Sequence, residues 1–326
     1  MGDFARQHTS RRLETLGFTR GRTANSERAG KLWRALGLDQ ASRVLEILQM
    51  STTKPPTASA ASSDASSSER QTASIYDFPA YYDLIFGSDW KAEFDFLKEV
   101  FVKHVEGRCS RLFEPACGTG RLMFRFAKSG FHCDGLDLNE AAVEYCEKRM
   151  RRHGLRGTAW TADMTDFSVR KPYDAAFNTI NSFRHLPSEK SARGHLDAMA
   201  AAIRPGGIYA LGLHLTPLQG EPTETEQWSA RRGNLQVNTS MWPKSKEPKK
   251  RVEQFHMRFD IHRPTGSMTI DDVLVLRSYT AKQMKSLIRS VPEWSIDDVY
   301  DFRYSIEDPI EIDEWTEDVV YILKRK

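Results

Sequence analysis

The sequence predicts an α/β fold, a mostly parallel sheet with helices on both faces. Three observations carry this. Between residues 110 and 214, short apolar runs alternate with segments of helical period. One junction, Arg111-Leu-Phe-Glu-Pro-Ala-Cys-Gly-Thr-Gly-Arg121, passes from apolar strand through a small-residue turn directly into a helix. Beyond residue 214 the period shortens to the polar/apolar alternation of half-exposed antiparallel strands.

Residues 1–50 hold one amphipathic candidate, 26–48, in which Leu32, Leu36, Leu38, Val44, Leu45 and Leu48 approximate a stripe broken by Gly37. We expect a poorly ordered or loosely helical N-terminal extension. Its arginine-rich start also suits an organelle-targeting segment, although five acids weaken that alternative. Residues 51–75 are nearly pure Ser/Thr/Ala/Pro, too polar to offset their ordering entropy, and read as a disordered linker. Met50 stands just before it, where a start would leave a sensible shorter protein. The folded domain is expected over 76–326. It opens with an aromatic segment at 75–86 and a helix at 90–104 with Phe94, Phe96, Leu97, Val100 and Phe101 inward.

Strand one follows at 110–116, a helix at 120–129, strand two at 132–138 and a helix at 140–152. Strand three is expected at 157–163, strand four at 173–179, a helix at 188–203 and strand five at 207–214. Pro205-Gly-Gly207 should end that last helix, because glycine fits the position after a helix and proline cannot continue one. Residues 216–277 read as a β-rich insertion with strands near 233–241, 251–260 and 267–276, and Pro264-Thr-Gly266 as the hairpin turn. The chain returns through a helix at 280–290 and an antiparallel pair at 294–300 and 318–323.

Composition bounds the function. At 326 residues the chain exceeds one average domain, yet an α/β domain with insertions reaches this size. The 40 % apolar fraction builds a sizeable core. Net charge is +3, and residues 1–50 carry nine Lys/Arg against five Asp/Glu, so the remainder is close to neutral. The totals call for no nucleic-acid partner. Cys109, Cys117, Cys133 and Cys146 form no C-x-x-C pair and no His-rich ligand set. That suits a reducing cytoplasm rather than a disulfide framework, and no metal is expected. No apolar run reaches the ~18 residues of a membrane span, and the opening residues lack the continuous apolar stretch of a secretory signal. The oligomeric state is left open.

The strand–turn–helix corner carries the chemistry. Glycines let the backbone approach a ligand, and a helix N-terminus turns free N–H donors toward it. A dinucleotide site asks for Gly-x-Gly-x-x-Gly, whereas Gly118 and Gly120 are followed by Met123 at the third position. There is no Gly-Lys-Ser/Thr of a phosphate loop either. Instead, Glu114-Pro-Ala-Cys-Gly-Thr-Gly resembles motif I of the class I S-adenosylmethionine (SAM)-dependent methyltransferases. Three further segments agree: His132-Cys-Asp-Gly-Leu-Asp-Leu-Asn139, whose acid stands 17 residues after Gly120, Thr161-Ala-Asp-Met164, and Tyr173-Asp-Ala-Ala-Phe-Asn-Thr-Ile-Asn181. The resemblance covers roughly residues 76–326. It implies a Rossmann-like seven-stranded sheet with an antiparallel β insertion after strand five, as in the sugar N,N-dimethyltransferases, where the insertion helps form the acceptor site.

The resemblance also implies roles. Ala116, Gly118 and Gly120 would pass under the methionine and ribose of SAM, with Glu114 orienting the amino group. Asp137, with Leu138 beside it, would take the ribose hydroxyls. Asp163 would take the adenine amino group while Met164 packs on the ring, and Asn178 completes the cofactor set. In the family the N-terminal aromatic region lies over the cofactor pocket like a lid, so on the acceptor side stand Tyr82 of this lid, Asn181 and His214, with His185 as the group that removes a proton or holds the amine. Each has a plainer alternative: a carboxylate at a strand end also caps helices, and a histidine or tyrosine also packs. The sequence has no Asn-Pro-Pro-Tyr after strand four and no cytosine-C5 cysteine motif. The basic run 244–251 is either a solvated loop or an attractor of acidic substrate or RNA. The expected activity is methyl transfer to a small-molecule acceptor, an amine rather than a hydroxyl. The alternatives are an RNA or protein methyltransferase recruited by the basic N-terminus and a non-catalytic SAM-binding protein.

Overall fold

The computed structural model describes residues 69–88, 90–219 and 225–326. The expected N-terminal extension and most of the expected linker lie outside the described residues. Strands β2 (Arg111–Pro115), β3 (His132–Asp137), β4 (Ala159–Thr161), β5 (Tyr173–Asn178), β6 (Ile203–His214), β11 (Trp294–Tyr300) and β12 (Asp318–Arg325) make one sheet in the order β11-β12-β6-β5-β2-β3-β4. The pairings from β4 through β6 are parallel, while β12 runs antiparallel to both β6 and β11. The strand order therefore reverses between β2 and β5, the place where open α/β sheets part to form a ligand crevice.

Helices α2 (Lys91–His104), α3 (Arg121–Lys128) and α4 (Glu140–Arg152) cover one face. Phe101, Phe126 and Phe177 meet there with ring centroids 5.1–6.4 Å apart. Helices α5 (Glu189–Ala202) and α6 (Ala281–Arg289) cover the other, setting Leu196, Met199, Leu287 and Ile288 against Tyr209 and Leu211. Both begin with a reciprocal cap, Ser188 with Ser191 and Thr280 with Gln283, which satisfies two otherwise orphaned N–H groups at each start. The five inward residues expected on α2 are all buried.

The second sheet has the order β1-β10-β9-β8-β7, from β1 (Glu69–Thr72), β7 (Glu226–Arg232), β8 (Leu235–Glu247), β9 (Val252–Arg263) and β10 (Gly266–Arg277). Four of its strands are the insertion, and β9 turns into β10 through Pro264-Thr265 between the paired Arg263 and Gly266. The fifth corrects the linker's expected end at residue 75. Glu69–Thr72 pair in parallel with β10, and Arg70 forms an ion pair with Asp271. Ladder hydrogen bonds to an exposed sheet edge order a segment too polar to order itself.

The insertion has a fourth strand, β7, before the three expected, and β8 runs on to Glu247; two boundaries in the main sheet differ as well. Helix α5 ends at Ala202, before the proline, and Pro205-Gly-Gly207 lies inside β6. There Tyr173 pairs with Ile203 and Ala175 with Ile208, so the glycines absorb a register shift, with Gly206 at φ +75°. Strand three shrinks to the edge strand Ala159–Thr161, because only β3 is available to pair with it.

Candidate active site

The turn after β2 is built from three residues of left-handed backbone, Ala116, Gly118 and Gly120, at φ +54°, +52° and +73°. Only the glycines adopt this without strain. They are glycines for different reasons. A Cβ on Gly120 would lie 2.3 Å from Cys146 Sγ, so its absence lets α3 and α4 close up. At Gly118 there is room: the nearest atoms to a Cβ would be Tyr82 Cε1 at 3.7 Å and Asp137 Oδ2 at 4.0 Å. Met123, at the third-glycine position, is fully buried with its Sδ 3.7 Å from Cys146 Sγ. Its side chain fills the space that a dinucleotide corner leaves for close helix–strand approach.

Asp137 closes the corner. Its Oδ2 accepts from Gly118 N–H at 2.7 Å and its Oδ1 from Asn139 N–H at 2.8 Å. Burial raises its pKa, and these backbone N–H groups oppose that rise. Glu114 accepts from Met123 N–H at 2.9 Å, tying β2 to the first turn of α3. Burial pushes its carboxyl well above the usual range, against the pull of the Arg121 guanidinium. Arg121 is itself in an ion pair with Glu93, a buried acid that also accepts from Thr179 Oγ1.

Tyr82 lies on α1 (Pro79–Phe86), over the Gly118 turn. Burial, then the nearby Asp137 charge, push its hydroxyl up to about 12. Tyr76, on the 3₁₀ turn Ile75–Asp77, packs 5.4 Å from Tyr82 and reaches His185 Nε2 at 3.3 Å through its hydroxyl. His185 ends the 3₁₀ turn Ser182–His185 after β5. Desolvation and the Arg184 cation lower its pKa, so the imidazole is neutral at pH 7. The lid is pinned from above and below. Asp272 of β10 accepts from Ile75 N–H at 3.0 Å, and Asn139 Nδ2 donates to Asp77 Oδ1 at 2.9 Å.

The other sequence candidates are placed less directly. Asn178 is buried, its Nδ2 donating to Pro115 O at 2.9 Å across the β2/β5 crevice, and its Oδ1 has no partner among the described residues. Asn181 is a left-handed turn residue whose Oδ1 accepts from His214 N–H at 2.9 Å. His214 Nδ1 meets Asp318 Oδ1 at 2.7 Å and its ring packs on Phe302. Both therefore have structural duties joining β5, β6 and β12. Asp163 is exposed and accepts from Thr165 N–H at 2.8 Å. Met164 is half-buried, and its carbonyl accepts from His195 Nδ1–H at 2.9 Å. Leu138, 75 % exposed, packs on nothing substantial. Within the basic run, Lys246, Lys250 and Arg251 pair with Glu253, Glu247 and Glu189.

Sequence reasoning missed Glu93, Arg121, Asn139 and Asp272. Asn139 alone carried a local signal, since asparagine before a helical run is a preferred N-cap. It does cap α4, accepting from Ala142 N–H. Among the described residues no cluster of His, Cys, Asp and Glu is suited to a metal, and no helix is long and apolar enough to cross a membrane.

Comparison with known proteins agrees with this geometry. Residues 113–207 match the family described as methyltransferase domain. A dTDP-3-amino-3,4,6-trideoxy-alpha-D-glucopyranose N,N-dimethyltransferase of Streptomyces venezuelae is 27 % identical over 135 residues, 40 % of this chain and 55 % of that protein. A dTDP-3-amino-3,6-dideoxy-alpha-D-glucopyranose N,N-dimethyltransferase of Streptomyces fradiae is 27 % identical over 134 residues, 39 % and 49 % of the two chains. The chain thus spans about half the length of the curated relatives it matches. Among solved structures, Streptomyces venezuelae DesVI superposes with a TM-score of 0.63 at 17 % identity, covering 77 % of this chain and 99 % of that one. A S-adenosylmethionine-dependent methyltransferase from Clostridium acetobutylicum gives 0.63 at 16 % identity, covering 76 % and 97 %. The matched methyltransferase domain spans the glycine corner, and the fold resembles that of solved S-adenosylmethionine-dependent methyltransferases.

Proposed function

We propose that this protein is a SAM-dependent methyltransferase that methylates an amine nitrogen of a small molecule in the cytoplasm, the compartment that its four free thiols suit. The observation that carries this is the corner itself. Gly118 offers open backbone, Asp137 offers a carboxylate fixed by two N–H groups, and Met123 fills the space of a third glycine. Those features fit SAM and disfavour a dinucleotide. In this role Asp137 accepts from the ribose hydroxyls, the Ala116–Gly120 turn runs beneath the cofactor, and Glu114 faces its amino group. Asp163 and Met164 flank the adenine.

When bound, SAM supplies an electrophilic methyl group, which passes from sulfur to the nitrogen lone pair and leaves S-adenosylhomocysteine. The chain's task is then alignment and control of one proton. His185, neutral at pH 7, is able to accept that proton, and Tyr76 holds its ring. The relatives' names support an amino-sugar acceptor, and the insertion sheet beside the lid supports a small one.

The test is methyl transfer from labelled SAM to a panel of dTDP-amino sugars, with NAD binding as the control. Transfer to nitrogen is expected. Tight NAD binding without SAM binding overturns the proposal. His185→Ala is expected to slow transfer at saturating SAM by roughly 10²–10⁴-fold if the imidazole is the base. It should also remove a titration from the rate–pH profile while leaving SAM affinity unchanged. An unchanged rate assigns His185 to structure.

A further inference from the structure

Helix α1, the part of the lid that carries Tyr82, also carries a buried acid with no place in the chemistry described so far. Asp83 is 2 % exposed. Its Oδ1 forms an ion pair with Arg149 of α4. Its Oδ2 accepts from Tyr145 OH of α4 and from Arg232 Nη2 at the end of β7, both at 3.1 Å. A buried carboxylate is tolerated where its charge and both oxygens are matched, and these three groups match them. Gly87 makes room for the arrangement. A Cβ there would lie 2.2 Å from Asp83 O and 2.9 Å from its Oδ1, so only glycine lets the chain leave α1 against the carboxylate.

The partners come from different parts of the molecule and are held unequally. Arg149 also donates to Thr119 O at 3.4 Å, between the two glycines of the corner, so one guanidinium touches both the cofactor turn and the lid. Its group lies 5.1 Å over the ring of Tyr145, one helical turn earlier, and its side chain is only 19 % exposed. Arg232 comes instead from the edge strand of the insertion sheet, and its side chain is 59 % exposed. Were Arg232 to withdraw, water would solvate it, while Asp83 would keep Arg149 on one oxygen and Tyr145 on the other. Were Arg149 to withdraw, a buried carboxylate would lose its inner cation and Thr119 O its donor. The first step is cheap, as for any exposed pair, and the second is costly. Phe86 adds an apolar contact to the same strand, its ring 6.1 Å from that of Trp228.

We propose that Asp83 is the hub of a latch on the lid, in which Arg149 is the pivot that stays and Arg232 the bolt that withdraws when the lid opens for cofactor exchange. The proposal rests on SAM binding beneath Tyr82, as given above, and adds what controls its entry and exit. Arg232 acts on the lid through Asp83 and not on the Gly118–Asp137 corner. It therefore steadies the docked lid to the same extent with and without a ligand. A contact of that kind slows association and release together and leaves affinity alone, because it raises the barrier between two states without favouring either. A contact that merely helped to hold the cofactor would change release and affinity instead.

The experiment uses the full chain and S-adenosylhomocysteine, with association and release followed by stopped-flow tryptophan fluorescence and affinity by isothermal titration. Arg232→Ala is expected to raise both rates roughly threefold to fivefold, the scale of one exposed ion pair, with Kd held within about twofold. Arg232→Lys should recover part of the slowing, and the gap between wild type and Arg232→Ala should narrow as ionic strength rises. Arg231→Ala is the control. It removes the same charge from the neighbouring residue, whose Nε is engaged with Gly233 O, and should leave both rates unchanged. A rise in release alone, wild-type rates in Arg232→Ala, or the same rise in Arg231→Ala overturns the proposal. If the wild type binds no S-adenosylhomocysteine, the underlying function fails, and hydrogen exchange of the ligand-free chain decides the latch. Amides of residues 79–86 should then exchange faster in Arg232→Ala by a similar factor, and unchanged exchange overturns it.

Discussion

Gly120 and Cys146 show how closely one atom controls the corner. A Cβ at Gly120 meets Cys146 Sγ at 2.3 Å on backbone of φ +73°. Gly120→Ala should therefore destabilise the protein by roughly 2–4 kcal/mol, combining overpacking with left-handed strain. Adding Cys146→Ala should recover the steric part and leave the backbone part, a non-additivity measurable by urea unfolding. A purely additive pair would show that the two side chains do not compete for this space. His195 makes a second, pH-dependent case. It is wholly buried, with Nδ1–H donating to Met164 O and Nε2 accepting from Tyr209 OH at 2.9 Å. Burial lowers its pKa from 6.5 to about 4. The unfolded chain then binds the proton first. The stability from this neutral histidine is full above pH 6.5 and falls as pH drops toward 4. From pH 7.5 to 5 the loss is about 2 kcal/mol. His195→Gln should flatten that part of the profile, and an unflattened profile would assign acid sensitivity to other groups.

Among the elements, the lid is tied to both halves of the molecule, Asp83 of α1 to Arg149 and Arg232 and Tyr81 to Arg263. The 3₁₀ turn Ile75–Asp77 is held by Asp272 of β10 and by Asn139 at the start of α4. Asp272→Ala should release the Ile75 N–H and loosen lid docking by about 1–2 kcal/mol. Hydrogen exchange over residues 75–86 should quicken, while β2, β5 and β6 stay protected. Uniform exchange in the variant would show that the lid docks through other contacts. Strand β1 acts on the same element, because it leads directly into the lid and fixes where it starts on β10. Residues 69–72 have a polar, sheet-indifferent sequence. Nothing in them forecasts a strand, since their order comes from an edge contributed some 200 residues later.

For the molecule as a whole, SAM bound as proposed in the crevice between β2 and β5 should stabilise the entire domain. S-adenosylhomocysteine at a hundredfold excess over its Kd should add about 2.7 kcal/mol and raise Tm by roughly 5–10 °C. Asp137→Ala should cut that gain by weakening binding about 1.5–3 kcal/mol, with the ligand-free Tm little changed. A full shift in the variant would place the ribose contact elsewhere.

The sequence by itself determined the main sheet and its glycine corner, because both are written in local terms. Apolar runs set β2, β3, β5 and β6, helical periods set the helices between them, and positive-φ demand set Gly118 and Gly120. Even the turn of the β9–β10 hairpin followed from Pro264-Thr-Gly266. What tertiary structure alone decided is which side chains share a place. The Glu93–Arg121 pair and the Asp272–Ile75 bond each join residues distant in sequence. Asn181, after β5, and His214, at the end of β6, are polar residues at the carboxyl ends of strands, where ligands of open α/β sheets lie. Only the paired β5, β6 and β12 show that each also makes a hydrogen bond within the sheet.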